Sequence, residues 1–354
     1  MAAIDFSAIP RSALPALLQA APKAELHLHI EGSLEPELMF ELAQRNHIQL
    51  SYPDVASLRQ AYAFSNLQSF LDIYYAGASV LITAADFEAM CWAYCQRAAA
   101  DGIVRAELFF DPQTHTERGI ALATVLEGLL AGIKRAEREL GLSLDLIPCF
   151  LRHLSEAEAL QTLQALEPFR EQIIGVGLDS SERGHPPLKF ARAFAAARAM
   201  GLHVVAHAGE EGPAAYIWSA LEDLGVERID HGVRCLEDPD LVAHLRQQRI
   251  PLTVCPLSNV KLRVFDKLQE HCLPRLLDEG LMVMLNSDDP AYFGGYLGEN
   301  LRQCFDALPQ LGAEQAYRLL RNSLEASFAT DADKHTWIAR LDACFLAAAG
   351  QSSR

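Results

Sequence analysis

Residues 24–33 read AELHLHIEGS, and how this stretch folds decides how the rest of the chain is read. Leu26, Leu28 and Ile30 alternate with His27 and His29. That two-residue period is a β-strand's, and it sets the two imidazoles on one face roughly 6–7 Å apart, with the aliphatic residues on the other. From this first run at 25–30, seven more of apolar or β-branched character follow at 103–110, 143–150, 173–179, 202–208, 227–231, 250–255 and 281–286. Ala-, Leu-, Glu- and Arg-rich stretches with helical spacing separate them, among them 121–140, 155–168, 187–200, 213–224 and 238–247. Strand and helix alternating eight times predict an α/β fold whose parallel sheet closes as a (β/α)8 TIM barrel instead of staying an open doubly wound sheet.

Residues 50–100, after the first strand, and 297–348, after the last, exceed the simple repeat and read as extra helices. No Ser/Gly/Pro linker divides the chain; the one dense Pro/Gly loop is ERGHPP at 182–187, so 1–354 is expected to be a single domain. Half the residues are hydrophobic, enough for a large core, and a net charge of −16 repels phosphate backbones and anionic lipid. Nucleic acid and membrane surfaces are therefore not expected partners. The eight cysteines are scattered without a CxxC pair, which suggests neither a disulfide framework nor a thiolate metal site. The opening residues carry Asp5 early and are broken by Pro10, Pro15 and Pro22, which speaks against a signal peptide or membrane helix and for the cytoplasm.

Barrel enzymes build their sites at the C-terminal ends of the strands. Four such ends carry reactive side chains here: HLHIEG after the first strand, HAGE (207–210) at the fifth, DHG (230–232) at the sixth and NSDDP (286–290) at the eighth. Any one fragment has an inert reading, as a hydrogen-bonded core histidine or an aspartate capping a turn. Four converging on one mouth form a site. His27, His29, His207 and Asp288 offer three nitrogens and a carboxylate oxygen, which suits one Zn2+ ion in a crowded, five-coordinate shell completed by water. Such a water ionises with a pKa of about 7 and becomes a nucleophile. His231 is placed to accept its proton, Glu210 to exchange a proton with substrate, and Asp289, pointing away from its ligand neighbour, to face the substrate. A non-catalytic, zinc-stabilised binding protein needs only the four ligands, so the surplus of Glu210, His231 and Asp289 favours an enzyme.

In this order, HxH, HAGE, DHG and SDD resemble the adenosine/adenine deaminase family of the amidohydrolase superfamily, from about residue 20 to about residue 330. The resemblance implies that His27, His29, His207 and Asp288 hold a single zinc ion, Glu210 donates a proton, His231 assists the attacking water and Asp289 binds the purine. A mononuclear site agrees with the fourth strand, IIGVGLDSSE, which has no lysine for a bridging carbamate, and the lack of PCxxC excludes a cytidine-deaminase type of site. The implied reaction is hydrolytic removal of the exocyclic amine of a small 6-aminopurine: Glu210 protonates N1 as water adds at C6, and ammonia leaves. Asp289 would bond N7. Because N7 is ordinarily an acceptor, that bond requires a protonated Asp289 or the N7–H tautomer.

Two departures from the family pattern bear on the substrate. Where adenosine-cleaving members read HLDG, with the aspartate toward the ribose, this chain has Glu31, whose longer side chain is expected to intrude where a sugar sits. Where they carry an LAGDE-like turn, it has GLDSSERGHPP (177–187), which with CPLSNVKL (255–262) resembles the adenine deaminases of bacteria and fungi. Ser180, Ser181 and Glu182 are accordingly expected to bond N3 or N9–H of a free base. Adenine to hypoxanthine, in purine salvage, is the first reading and adenosine to inosine the alternative; routine loop drift is the inert explanation of both departures. Phe64, Phe70 and Tyr74 fit either helix packing or a lid over the purine. Cys91 and Cys95, one helical turn apart, fit an apolar helix face, and His185, His203 and His244 read as structural or surface residues.

Overall fold

Each of the eight apolar runs becomes a strand in the computed structural model, which describes residues 4–350. The strands are β1 Lys23–His29, β2 Ile103–Phe110, β3 Ser143–Leu151, β4 Gly175–Asp179, β5 His203–Ala208, β6 Arg228–His231, β7 Pro251–Val254 and β8 Met282–Leu285. They pair in sequence order, every pair parallel. All or nearly all residues of each strand are buried, because helices cover the outer face while side chains fill the interior. The fold is a (β/α)8 TIM barrel.

Closure between β8 and β1 is made by single contacts. Asn286 Oδ1 accepts from the backbone N–H of Leu26 and His27 at 2.8 and 3.2 Å, and Leu28 pairs with Asp288 in an isolated bridge. The Asp288 N–H donates to the His27 carbonyl, and the His29 N–H to that of Asp288. The last turn of the barrel is thereby stitched to the strand that carries the paired histidines.

Four helices separate β1 from β2, at Pro36–Arg45, Val55–Ala61, Leu67–Ala78 and Ala84–Ala100. Asp54 and Asn66 start the second and third by accepting from the N–H of Ser57 and Ser69, the reciprocal capping arrangement that satisfies otherwise orphaned donors. After β8 run Pro290–Phe293, Leu297–Ala307, Ala313–Glu325 and Asp331–Ala348. The turn before the last of these closes the barrel floor. There Glu107 pairs with Arg228 at 2.7 Å and Arg105 at 3.0 Å, and also accepts from the Phe328 N–H at 2.6 Å. Phe328 stacks flat on His203, with centroids 3.9 Å apart. Among the described residues no helix is long and apolar enough to cross a membrane.

Candidate active site

The barrel brings His27 and His29 from β1, His207 from β5 and Asp288 from the end of β8 to one point, with one ligating atom from each inside a 4.8 Å cluster. Asp288 Oδ1 lies 3.3 Å from His27 Nε2 and 3.5 Å from His29 Nε2, and His29 Nε2 lies 3.1 Å from His207 Nε2. The opposite ring nitrogens face acceptors. His27 Nδ1 is 3.0 Å from Thr253 Oγ1, whose own O–H is donated to Asp230 Oδ1 at 2.8 Å. His29 Nδ1 faces Asp179 Oδ2 at 3.4 Å and His207 Nδ1 faces Asp230 Oδ2 at 3.5 Å. With the ring protons on Nδ1, all three Nε2 lone pairs point inward.

This arrangement tests whether a metal ion fits. Two Nε2 lone pairs 3.1 Å apart repel, and His27 Nε2 is buried with no hydrogen-bond partner. A divalent cation satisfies all three nitrogens and the Asp288 oxygen at once, so the donor set fits the group. Burial, then the neighbouring His207, pushes His29 down to about 3, keeping it in the neutral form that ligates. For His207 burial is outweighed by Asp230, which makes that ring the more basic donor.

Around the cradle lies a small cavity of about 30 Å3. Glu210, His231 and Asp289 line it beside the cradle, and Leu67, Phe70 and Tyr74 cover it from the helix Leu67–Ala78. Phe64 packs behind Phe70 at 5.4 Å and is not on the cavity wall. Burial, then Asp288, pushes both the Glu210 and the Asp289 carboxyls well above the usual carboxylate range. Each also has one buried oxygen without a partner, an open valence toward the cavity's contents. Gly32 lets Asp289 stand this close to β1, since a Cβ there would come within 1.9 Å of Asp289 Oδ1. His231 Nε2 lies 3.6 Å from Glu210 Oε2 and 3.7 Å from Asp288 Oδ2.

Three residues expected at the substrate are placed differently. Glu31 is not on the cavity wall: in the short 3-10 turn after β1 its Oε1 meets His115 Nε2 at 2.7 Å and accepts from the Asp111 N–H at 3.1 Å, while its Oε2 is buried without a partner. Glu182 is buried beneath the loop after β5. It accepts from four consecutive backbone N–H groups, those of Gly209, Glu210, Glu211 and Gly212, at 2.7, 3.1, 2.8 and 2.7 Å. Gly212 is required there, because a Cβ would meet Glu182 Oε1 at 2.5 Å. Ser181 is half-buried and is not among the cavity-lining residues. Ser180 is on the wall, at a left-handed φ of +73°, with its hydroxyl 3.0 Å from Tyr75 O–H and 2.9 Å from His153 Nδ1.

Sequence reasoning passed over Asp111, Asp179 and Asp230. The latter two were visible as acids at strand ends, in GLDSSE and DHG, and the barrel rule alone could have promoted them to supports of the histidines. Asp111 follows β2, lines the cavity and accepts from the Tyr74 O–H at 3.1 Å.

Comparison with known proteins adds the context of relatives. A family model described as adenosine deaminase matches residues 22–344. The adenine deaminase of Trichlorobacter lovleyi is 62% identical over 342 residues, which cover 97% of this chain and 98% of that one. That of Cupriavidus metallidurans is 58% identical over 331 residues, 94% and 93% of the two chains. Among solved structures, an adenine deaminase from Arthrobacter aurescens superposes with a TM-score of 0.90 at 51% identity, covering 91% of this chain and 98% of its own. An amidohydrolase from Burkhoderia ambifaria with bound Zn superposes at 0.88 and 25% identity, covering 98% and 97%.

Proposed function

The chain belongs to the adenosine deaminase family, and on that premise we propose that its mouth converts adenine to hypoxanthine and ammonia, with one zinc ion in the His27, His29, His207 and Asp288 cradle. It is a hydrolase acting on a C–N bond. The observation that carries the chemistry is the Glu210 carboxyl, pushed up by burial and then Asp288 and with one buried oxygen lacking a partner, beside the four converging donors of the cradle. Three imidazoles and a carboxylate favour zinc over thiol-seeking metals, and the same donors are metal-dependent in chemistry whichever borderline cation fills them. When bound, the ion supplies a Lewis acid that makes water nucleophilic near neutral pH.

The protein's own groups then position and protonate the purine. Adenine lies with C6 toward the cradle, N1 toward Glu210 and N7 toward Asp289. Glu210 gives its proton to N1 as water adds at C6, so that charge does not build up on the ring. The bond from C6 to the amine breaks, one water proton leaves with the ammonia and the other returns to Glu210, which balances the cycle. Asp289, whose carboxyl burial and then Asp288 push up, faces N7; in its protonated form it donates there and accommodates the ordinary tautomer of adenine. Ser180 Oγ, on the cavity wall, reads the far edge of the base at N3 or N9–H. Leu67, Phe70 and Tyr74 keep bulk water out. Eight free cysteines, six of them buried, fit a reducing compartment such as the cytoplasm, where purine salvage operates.

Ammonia release from adenine and adenosine, measured side by side on the metal-loaded protein, tests the reading. A higher kcat/KM on adenine is expected. A higher value on adenosine would replace the base by the nucleoside, and no ammonia from any 6-aminopurine despite metal-dependent stabilisation would leave only a binding protein.

A further inference from the structure

A buried hydrogen-bond chain reaches the site through Asn259 and His271, neither of which is on the cavity wall. It begins at the backbone N–H of Leu273, which donates to His271 Nδ1 at 3.0 Å. A ring nitrogen that accepts carries no proton, so neutral His271 keeps its proton on Nε2. The ring is 3% exposed, and burial pushes it down to about 3, so it remains neutral throughout the working range. Its Nε2–H meets Asn259 Oδ1 at 3.2 Å. That contact fixes the orientation of the amide: the NH2 end of Asn259 faces His231, with Nδ2 3.4 Å from His231 Nδ1. The amide donates, His231 Nδ1 accepts, and the His231 proton is left on Nε2.

On the far side of the ring His231 Nε2 faces Glu210 Oε2 at 3.6 Å and Asp288 Oδ2 at 3.7 Å, both outside hydrogen-bond distance, so the tautomer is set from the Nδ1 side. His231 also holds a left-handed backbone, φ +65°, a conformation that a non-glycine residue keeps only where its surroundings enforce it.

We infer that Asn259 and His271 are positioning residues that lock His231 in its Nε2–H tautomer, so that His231 meets the attacking oxygen as a hydrogen-bond donor and not as the base that takes its proton. This reverses the direction of the bond expected from the sequence. A donor aimed at the oxygen that becomes negative as C6 turns tetrahedral stabilises that charge without reorganising. The water protons then leave through Glu210 and the departing amine. What the donor does rests on the deaminase reading, whereas the tautomer itself is open to measurement without substrate.

The test uses the full-length protein with 15N-labelled histidine. Long-range nitrogen–proton NMR, with the His231 signals assigned by their loss in His231→Gln, is expected to show Nε2 protonated and Nδ1 bare. Protonated Nδ1 overturns the inference whatever the activity. Asn259→Asp places a carboxylate at Nδ1, draws the proton there, and is expected to lower kcat on adenine by about 100-fold or more, the scale of a lost proton-transfer or donor group, with KM within about threefold. His271→Leu, which frees the amide, is expected to lose about tenfold in kcat. His271→Gln, whose terminal NH2 restores a donor to Asn259, is expected to recover most of that loss. Equal kcat in the Leu and Gln variants, or an Asn259→Asp variant that folds and keeps its kcat, overturns the inference.

Discussion

Asp288 reaches His27 and His29 through Oδ1 and takes the Ser258 hydroxyl on Oδ2 at 2.6 Å, from a backbone at φ +64°. A side chain at such a φ costs roughly 1–3 kcal/mol, so the barrel spends stability to aim this carboxylate. Its neighbours show how single residues divide the work. Glu210→Gln keeps the shape and removes the proton. Turnover is expected to fall about 10²–10⁴-fold with metal content unchanged, and undiminished turnover would remove Glu210 from the proton-donor role. Asp230 stands one layer further out, behind His207 and under Thr253, which in turn holds His27. Asp230→Asn is therefore expected to weaken metal binding about 10–100-fold, because both supported imidazoles lose part of their orientation and basicity. Competition against a chelator of known affinity measures this, and an unchanged affinity would show that Asp230 orients nothing.

Between residue and barrel, the segment Gly209–Gly212 is a small concave element whose four amide protons converge on Glu182. Such a nest of N–H groups takes an anion, and here the anion is part of the protein. Since Glu210 rides on this turn, removing the anchor displaces the acid and leaves the rest of the purine's contacts in place. Glu182→Ala is expected to lower kcat by about 100-fold, the cost of a misplacement near 1 Å, while KM for adenine moves far less. A rise in KM with kcat preserved would instead return Glu182 to contact with substrate. This element also marks where sequence reading stops. The strands were legible because burial on both faces enforces short apolar runs, and the cradle because HxH, HAGE and SDD sit at strand ends that a barrel must bring together. Glu31 and Glu182 lie off the cavity wall because their partners are His115 and backbone N–H groups, chosen by the conformation of turns that no periodicity encodes. Asn259 and His271 gave no signal for the same reason: their meaning lies in a chain of contacts between loops.

At the scale of the molecule the barrel has two ends with different duties, chemistry at the C-terminal ends of the strands and stability at the N-terminal ends. The floor is held by Glu107 of β2, Arg228 of β6, Arg105 of β2 and the Phe328 N–H from the C-terminal region, which together tie distant parts of the chain. Arg228 also lies 4.7 Å over the Phe328 ring. Burial alone would push the Glu107 carboxyl up, but Arg228 and then Arg105 outweigh it and hold it below the usual range. A carboxyl whose folded value is depressed contributes stability that is fully present above its unfolded value and is lost as pH falls through the folded one. Arg228→Leu leaves Glu107 with Arg105 as its one cationic partner, beside the Phe328 N–H. The expected loss at pH 7.5 is about 3 kcal/mol, the usual scale for breaking a buried pair from one side. In the variant burial is less opposed and Glu107 protonates more readily, so the deficit relative to the parent is expected to narrow as the pH is lowered toward 4.5. Urea denaturation midpoints of parent and variant at the two pH values decide the matter: a deficit that stays constant with pH, or one below about 1 kcal/mol at pH 7.5, would mean that the floor is held by packing around Phe328 and not by the ion pair.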